Sequence, residues 1–160
     1  MDPVTYRCAT AADAAALNAA LAALSDDLGD VHKARDEDIL HAGFGPSPSF
    51  RAVLAEAGGA VVGAAVFSPL YSTTRGAPGA YVSDLWVAGS QRGAGVGRRL
   101  LAEVAREAAA AWGAAFVKLS VYHSNAAALA AYDRIGFAAM PDEGNMILEG
   151  SALQNLKAEE

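Results

Sequence analysis

The sequence predicts a mixed α/β fold, an α+β arrangement of helices on a mixed sheet, and three observations carry that prediction. Runs at 50–56, 60–67, 80–87 and 116–121 have the short, apolar and β-branched character of strands. Apolar residues recur at helical spacing in Leu17, Leu21, Leu24 and Leu28, and again in Leu100, Leu101, Val104, Ala108 and Trp112. A glycine cluster, Gly93, Gly95 and Gly97, separates the third strand run from the second helix.

Taken in chain order, Cys8 falls on an early strand, and Thr10 with Asp13 gives a capping-box-like start to the first helix. The charged stretch 32–38 follows, its Asp36, Glu37 and Asp38 expected to cap or solvate a helix. It runs through Ile39 and Leu40 into Gly43-Phe44-Gly45-Pro46-Ser47-Pro48, which is loop chemistry over a site or an interface. The runs 50–56 and 60–67 flank Gly58-Gly59 and predict an antiparallel hairpin, with a further loop over 71–79. The strand 80–87 points at the glycine cluster, and Val96 opens the second helix. After the strand 116–121, Asn125 is placed to cap a helix carrying Leu129 and Tyr132 and ending near Gly136. Residues 146–149 predict a short last strand.

At 160 residues the chain predicts one domain, 1–160, large enough to bury its own core. Hydrophobic types at 53% and charged types at 19% place it with globular proteins. A formal charge of -6 provides no basic field for a phosphate backbone, so no nucleic-acid partner is expected. The one cysteine forms no internal disulfide, and the acidic opening lacks the pattern of a signal peptide, so the expectation is a cytoplasmic protein. The longest apolar stretch, 57–67, is far shorter than the ~20 residues that span a bilayer, and no membrane partner is expected. His32, His41 and His123 lack metal-ligand spacing, so no metal is expected.

The glycine cluster is the informative feature. Glycines between a strand and a helix permit a tight turn and let a ligand approach the backbone amides, and the helix start adds unpaired N–H groups suited to a pyrophosphate. A dinucleotide fingerprint needs Gly-x-Gly-x-x-Gly, which 93, 95 and 97 do not match. A nucleoside-triphosphate loop needs Gly-Lys-Ser or Gly-Lys-Thr, whereas Gly97 is followed by Arg98 and Arg99.

Read as Arg92-x-x-Gly95-x-Gly97, the segment resembles the acetyl-CoA pyrophosphate loop of the GNAT acetyltransferase superfamily. Asn125, Ala128, Leu129, Tyr132, Gly136 and Phe137 fall in a segment similar to that superfamily's Asn-x-x-Ala-x-x-x-Tyr-x-x-x-Gly-Phe. Gly43-Phe44-Gly45-x-x-Pro48, Tyr71-Ser72-Thr73 and 81–87 resemble the spermidine/spermine and thialysine N-acetyltransferase branch. The resemblance implies the GNAT acyl-CoA N-acyltransferase fold, whose two central strands, here 80–87 and 116–121, splay apart around CoA. It implies transfer of an acetyl group from acetyl-CoA to a small amine in a ternary complex, and a homodimer. A non-catalytic acyl-CoA-binding sensor module and a protein or peptide N-acetyltransferase are the alternatives.

The resemblance also implies roles. Backbone groups of Leu85, Trp86 and Val87 pair with the pantetheine arm, and amides of Gly93, Ala94, Gly95, Val96, Gly97 and Arg98 take the pyrophosphate. Arg92, Arg98 or Arg99 adds charge-assisted bonds, with the choice open. Asn125 holds pantetheine, and Tyr132 is the general acid, a phenol of ordinary pKa ~10 protonating a thiolate of pKa ~8.5. The base is Asp84, His123 or water. The branch carries glutamate where Ser83 stands, an acidic residue where His123 stands, and tryptophans where Thr74 and Ser124 stand, so polyamine specificity does not follow. Cys8 reads as a small packing residue with no role in the chemistry.

Overall fold

The computed structural model describes residues 2–159. Its internal contacts divide it into two compact units, one up to Val121 and one from Tyr122 onward.

The first unit is built on a five-stranded sheet in the order β1-β2-β3-β4-β5. The strands are β1 (Thr5–Cys8), β2 (Arg51–Ala57), β3 (Ala60–Ser72), β4 (Ala77–Val87) and β5 (Val117–Leu119). Neighbours from β1 to β4 are antiparallel, while β5 runs parallel to β4. That parallel pair needs a crossover, which α3 (Val96–Trp112) provides.

One face of the sheet is covered by α1 (Ala14–Leu28) and α2 (Asp36–Phe44). Leu17 and Leu21 of α1 and Ile39 of α2 bury against Ala52, Leu54, Ala64 and Val66, with Trp86, Phe44 and Phe50 at the margin. Alternation along the strands sends Val53, Ala55 and Ala65 to the opposite face, where α3 contributes Val96, Leu100, Leu101, Val104 and Ala108. Gly63 permits that packing: a Cβ there would meet Leu100 Cδ1 at 3.0 Å and the Trp86 carbonyl at 3.1 Å.

The connection from α1 to α2 is fixed by a polar network around the buried Asn18. Its Nδ2 donates to Asp36 Oδ1 at 2.8 Å and to the Ala34 carbonyl at 3.2 Å. Both amide hydrogens are thereby used, so Asn18 Oδ1 must accept from His32 Nε2, 2.8 Å away. His32 Nδ1 lies 3.1 Å from Ser25 Oγ.

The predicted start of the first helix is present as a 3-10 turn, Ala11–Asp13, in which the Thr10 amide donates to Asp13 Oδ2 at 2.7 Å. Asp36, Glu37 and Asp38 do open a helix, where carboxylates complement the positive end of the dipole. Two predicted loops are corrected. The helix α2 runs on to Phe44, so the first loop begins later than Gly43. The span 71–79 is mostly strand, because β3 and β4 stay paired out to Ser72 and Ala77. There Gly79 leaves room for Phe116, whose ring carbons lie 2.5 Å from where a Cβ would sit.

The second unit holds α4 (Ala126–Ile135) and α5 (Gly150–Lys157). The strand expected over 146–149 is not formed: those residues are irregular, with Met146 98% and Ile147 82% exposed. A strand requires a neighbouring ladder for its N–H and C=O groups, and among the described residues this unit has none. The helix α5 was not anticipated; Ala152, Leu153, Gln154 and Leu156 favour it, with Lys157 in its last turn.

Candidate active site

The site begins with an irregularity in β4. Val82 pairs with Phe67 and Asp84 with Val66, so Ser83 is an extra residue without a partner in the ladder. Such a bulge bends the strand and increases its local twist. On the other side of β4 the pairing with β5 covers only Ala80↔Val117, Tyr81↔Lys118 and Val82↔Leu119. It stops at the bulge. From Asp84 to Val87 the strand keeps β3 as a neighbour, down to Val87↔Gly63, and among the described residues has no strand on its other edge. The two central strands are therefore joined only over 80–82 and 117–119, and among the described residues no strand pairs with the other edge of Leu85, Trp86 and Val87.

Ser83 Oγ donates to Asp84 Oδ2 at 2.7 Å, which occupies one oxygen of a half-buried carboxylate. By strand alternation Asp84 shares the sheet face of Trp86, the face covered by α1 and α2. Where β4 and β5 separate, the Tyr81 hydroxyl donates to Ser120 Oγ at 3.1 Å.

Val87 leads through a 3-10 turn, Gly89–Gln91, into the glycine cluster. Gly93 and Gly95 have φ of 80° and 81°, the left-handed region that residues with a Cβ seldom adopt. They turn the chain so that α3 starts at Val96 with Gly95 as its N-cap and no side chain bonded to its free amides. The first backbone bond of the helix runs from the Arg99 amide to the Gly95 carbonyl at 3.0 Å. The amides of Val96, Gly97 and Arg98 therefore precede the ladder. A Cβ on Gly93 or Gly95 would have no neighbour within 4 Å.

The three arginines have different surroundings. Arg92 donates from Nε to the Val87 carbonyl at 3.0 Å, and its Nη2 pairs with Asp27 of α1. Arg99 lies over the Tyr6 ring, 5.3 Å from its centroid. Arg98 is exposed, and among the described residues no hydrogen bond or ion pair engages it. Sequence reasoning missed Asp27, because a partner 65 residues away leaves no local signal.

In the second unit, Asn125 caps α4: its Oδ1 accepts from the Ala128 amide at 3.2 Å. Tyr132 lies two turns further along, half-buried, its ring edge-on to Phe137 with centroids 5.5 Å apart. Burial pushes the Tyr132 phenol above its ordinary value, so it is fully protonated at neutral pH. His123 is exposed. Among the described residues no cluster of three His, Cys, Asp or Glu could hold a metal ion.

Known proteins with this architecture include an integron cassette protein from the mobile metagenome of V. cholerae, with a TM-score of 0.81, 20% identity and 98% of both chains covered. The aminoglycoside N-acetyltransferase AAC(6')-Iy, in complex with CoA, has a TM-score of 0.74 at 17% identity, over 94% of this chain and 97% of its own. The ribosomal-protein-alanine N-acetyltransferase of Brucella melitensis biovar Abortus 2308 has a TM-score of 0.73 at 20% identity, over 92% of this chain and 100% of its own. These similarities concern the fold. Residues 17–137, which include the glycine cluster and Tyr132, match the model of the acetyltransferase (GNAT) family, and the chain belongs to that family.

Proposed function

We propose that the chain transfers an acetyl group from acetyl-CoA to the primary amine of a small, polyamine- or lysine-analogue-like molecule, by direct attack in a ternary complex. The observation that carries this reading is the unpaired β4 edge at 85–87 followed, through the glycine turn, by a helix start whose amides no side chain caps. A pantetheine arm carries amides that can pair with a strand edge, and a pyrophosphate suits the N–H groups of a helix terminus. Leu85, Trp86 and Val87 take the first role, and Gly93, Ala94, Gly95, Val96, Gly97 and Arg98 the second. Arg98 supplies the charge-assisted bonds, since Arg92 and Arg99 are engaged elsewhere. Asn125 and Ala128 serve the pantetheine through the start of α4.

The amine nitrogen attacks the thioester carbonyl, the C–N bond forms, the C–S bond breaks and CoA leaves as a thiolate. Tyr132 gives its phenolic proton to that sulfur. The proton lost by the ammonium leaves through water to Asp84, whose carboxylate also attracts a cationic acceptor; for a lysine-like amine that deprotonation costs about 4 kcal/mol near neutral pH. The structural relatives named as acting on aminoglycosides and on ribosomal protein leave the acceptor to be settled by assay. The family match crosses the boundary between the two units, which supports treating them as one catalytic domain. A homodimer in the cytoplasm belongs to the same reading. No helix among the described residues is long and apolar enough to cross a membrane.

The test is release of free thiol from acetyl-CoA with polyamines, lysine analogues, amino sugars and short peptides. Release with the first two classes is expected. Release with peptides alone would replace the small-molecule reading. No release with any amine, while CoA raises the melting temperature, would favour an acyl-CoA-binding module.

A further inference from the structure

The last turn of α1 carries Asp26 and Asp27 and no basic residue. Carboxylates at that end face the negative pole of the helix dipole, so a counter-charge must come from elsewhere. For Asp27 it comes from Arg92. The same guanidinium donates through Nε to the Val87 carbonyl at 3.0 Å. One side chain thus joins the end of α1, the end of β4 and the turn that leads into the glycine cluster.

We propose that Asp27 is a positioning residue for the acyl donor: acting through Arg92, it holds the phosphate turn in register with the open edge of β4. The inference rests on the acetyl-CoA reading above. A pantetheine arm on 85–87 and a pyrophosphate on 93–98 are parts of one ligand, so the distance between the two anchor points must be set before it binds. Rigid spacing lowers the ordering cost of association. The ends of the turn are anchored, Ala88 by its amide to the Val62 carbonyl at 2.9 Å and Val96 by burial. Between them the backbone bonds are local, Gln91 to Ala88, Arg92 to Gly89 and Ala94 to Gln91, the last two long at 3.4 Å, and Arg92 is the side chain that ties this middle stretch to β4 and α1.

The alternative is that Arg92 itself binds phosphate, and the two ideas predict opposite signs for Asp27→Asn. If Asp27 positions Arg92, removing the charge loosens the turn and weakens binding. If Arg92 is a phosphate ligand, the change frees a cation, removes a nearby anion and tightens binding.

Acetyl-CoA affinity, measured by calorimetry for wild type, D27N, D27E, R92Q and the D27N/R92Q double variant, decides the matter. D27N should raise the dissociation constant by up to about fivefold, the upper end of what an exposed ion pair supports. D27E should recover most of the loss, and the double variant should bind no worse than R92Q. Unchanged or tighter binding by D27N overturns the proposal. Absence of acetyl-CoA binding by wild type overturns the donor site itself, and this is seen before any variant is compared. If D27N melts early, affinities are compared at a temperature where every variant is folded, and a D27N/R92Q protein that binds worse than R92Q alone overturns the positioning role, because Asp27 would then act by a route other than Arg92.

Discussion

Gly97→Ala separates what the glycine cluster does for folding from what it does for the ligand. Gly97 sits in the first turn of α3, its φ is not in the left-handed region, and an added Cβ would meet only Val87 Cγ2, at an ordinary 3.6 Å. Nothing in the fold requires glycine there. Replacing a helical glycine with alanine is worth roughly 0.5–1 kcal/mol in favour of the helix. For a chain of this length that is an increase of about 1–4 °C in melting temperature. If the Gly97 amide faces a pyrophosphate, the new methyl group intrudes on the ligand, and acetyl-CoA affinity should fall about tenfold or more, ~1.4 kcal/mol. Thermal denaturation without ligand and calorimetric titration with acetyl-CoA give the two numbers independently. Gly95→Ala is the contrast: a Cβ there has open space, yet φ of 81° costs ~1–2 kcal/mol, so stability and binding should fall together. A Gly97→Ala protein that is more stable and binds acetyl-CoA as well as wild type would refute the placement of the pyrophosphate at this helix start.

Tyr132→Phe should reduce turnover about 10²- to 10⁴-fold while leaving CoA affinity unchanged, measured by thiol release and calorimetry; unchanged turnover removes it as the acid. Asp13→Asn should cost roughly 0.2–1 kcal/mol, the range of an exposed ion pair, because asparagine still accepts the Thr10 amide but loses the charge that pairs with Arg7. The Arg7 guanidinium holds the Asp13 carboxyl well below the carboxylate range. A depressed folded pKa means stability that is complete above about pH 4 and lost as pH falls toward the folded value, so acid denaturation below pH 4 should be shallower in the variant. Cys8, although exposed, has its thiol pushed up to about 11, first by burial and then by Glu107. Alkylation at neutral pH should be roughly two orders of magnitude slower than for an ordinary cysteine, and a fast reaction would contradict that environment.

The features readable from sequence are those whose cause is local. The capping pair Thr10 and Asp13, the helical stripe from Leu100 to Trp112, and the glycines before Val96 all act within a few residues, and all are present. The extent of the sheet was less legible. The residues 71–79 contain Ser, Thr, Gly and Pro in loop-like density, yet β3 and β4 stay paired out to Ser72 and Ala77, and Gly79 leaves room there for Phe116 from a neighbouring segment. The strand expected at 146–149 had the right composition and no ladder to join within its unit. Around the candidate site, the glycine turn before Val96 followed from the motif, but the commitments of the three arginines did not. The partner of Arg92 lies on α1 and that of Arg99 on β1, and neither spacing carries a periodic signal.

Ser83 connects the departure noted in sequence to the geometry of the site. A bulge residue has no ladder partner, so its identity is free to serve something other than pairing. Its position is where β4 loses β5, so the residue that breaks the register also marks the start of the open edge. The hydroxyl that stands there donates to Asp84 and leaves a single carboxylate, where glutamate in the polyamine branch would place a second beside the first. Two adjacent carboxylates repel one another and favour a doubly charged acceptor. One carboxylate that accepts a hydrogen bond suits a single ammonium. Ser83→Glu should therefore shift preference toward polyamines over monoamines in the thiol-release assay without altering acetyl-CoA affinity. An unchanged acceptor ratio would mean that the bulge shapes the backbone alone and that selectivity lies with other residues of the α1 and α2 face.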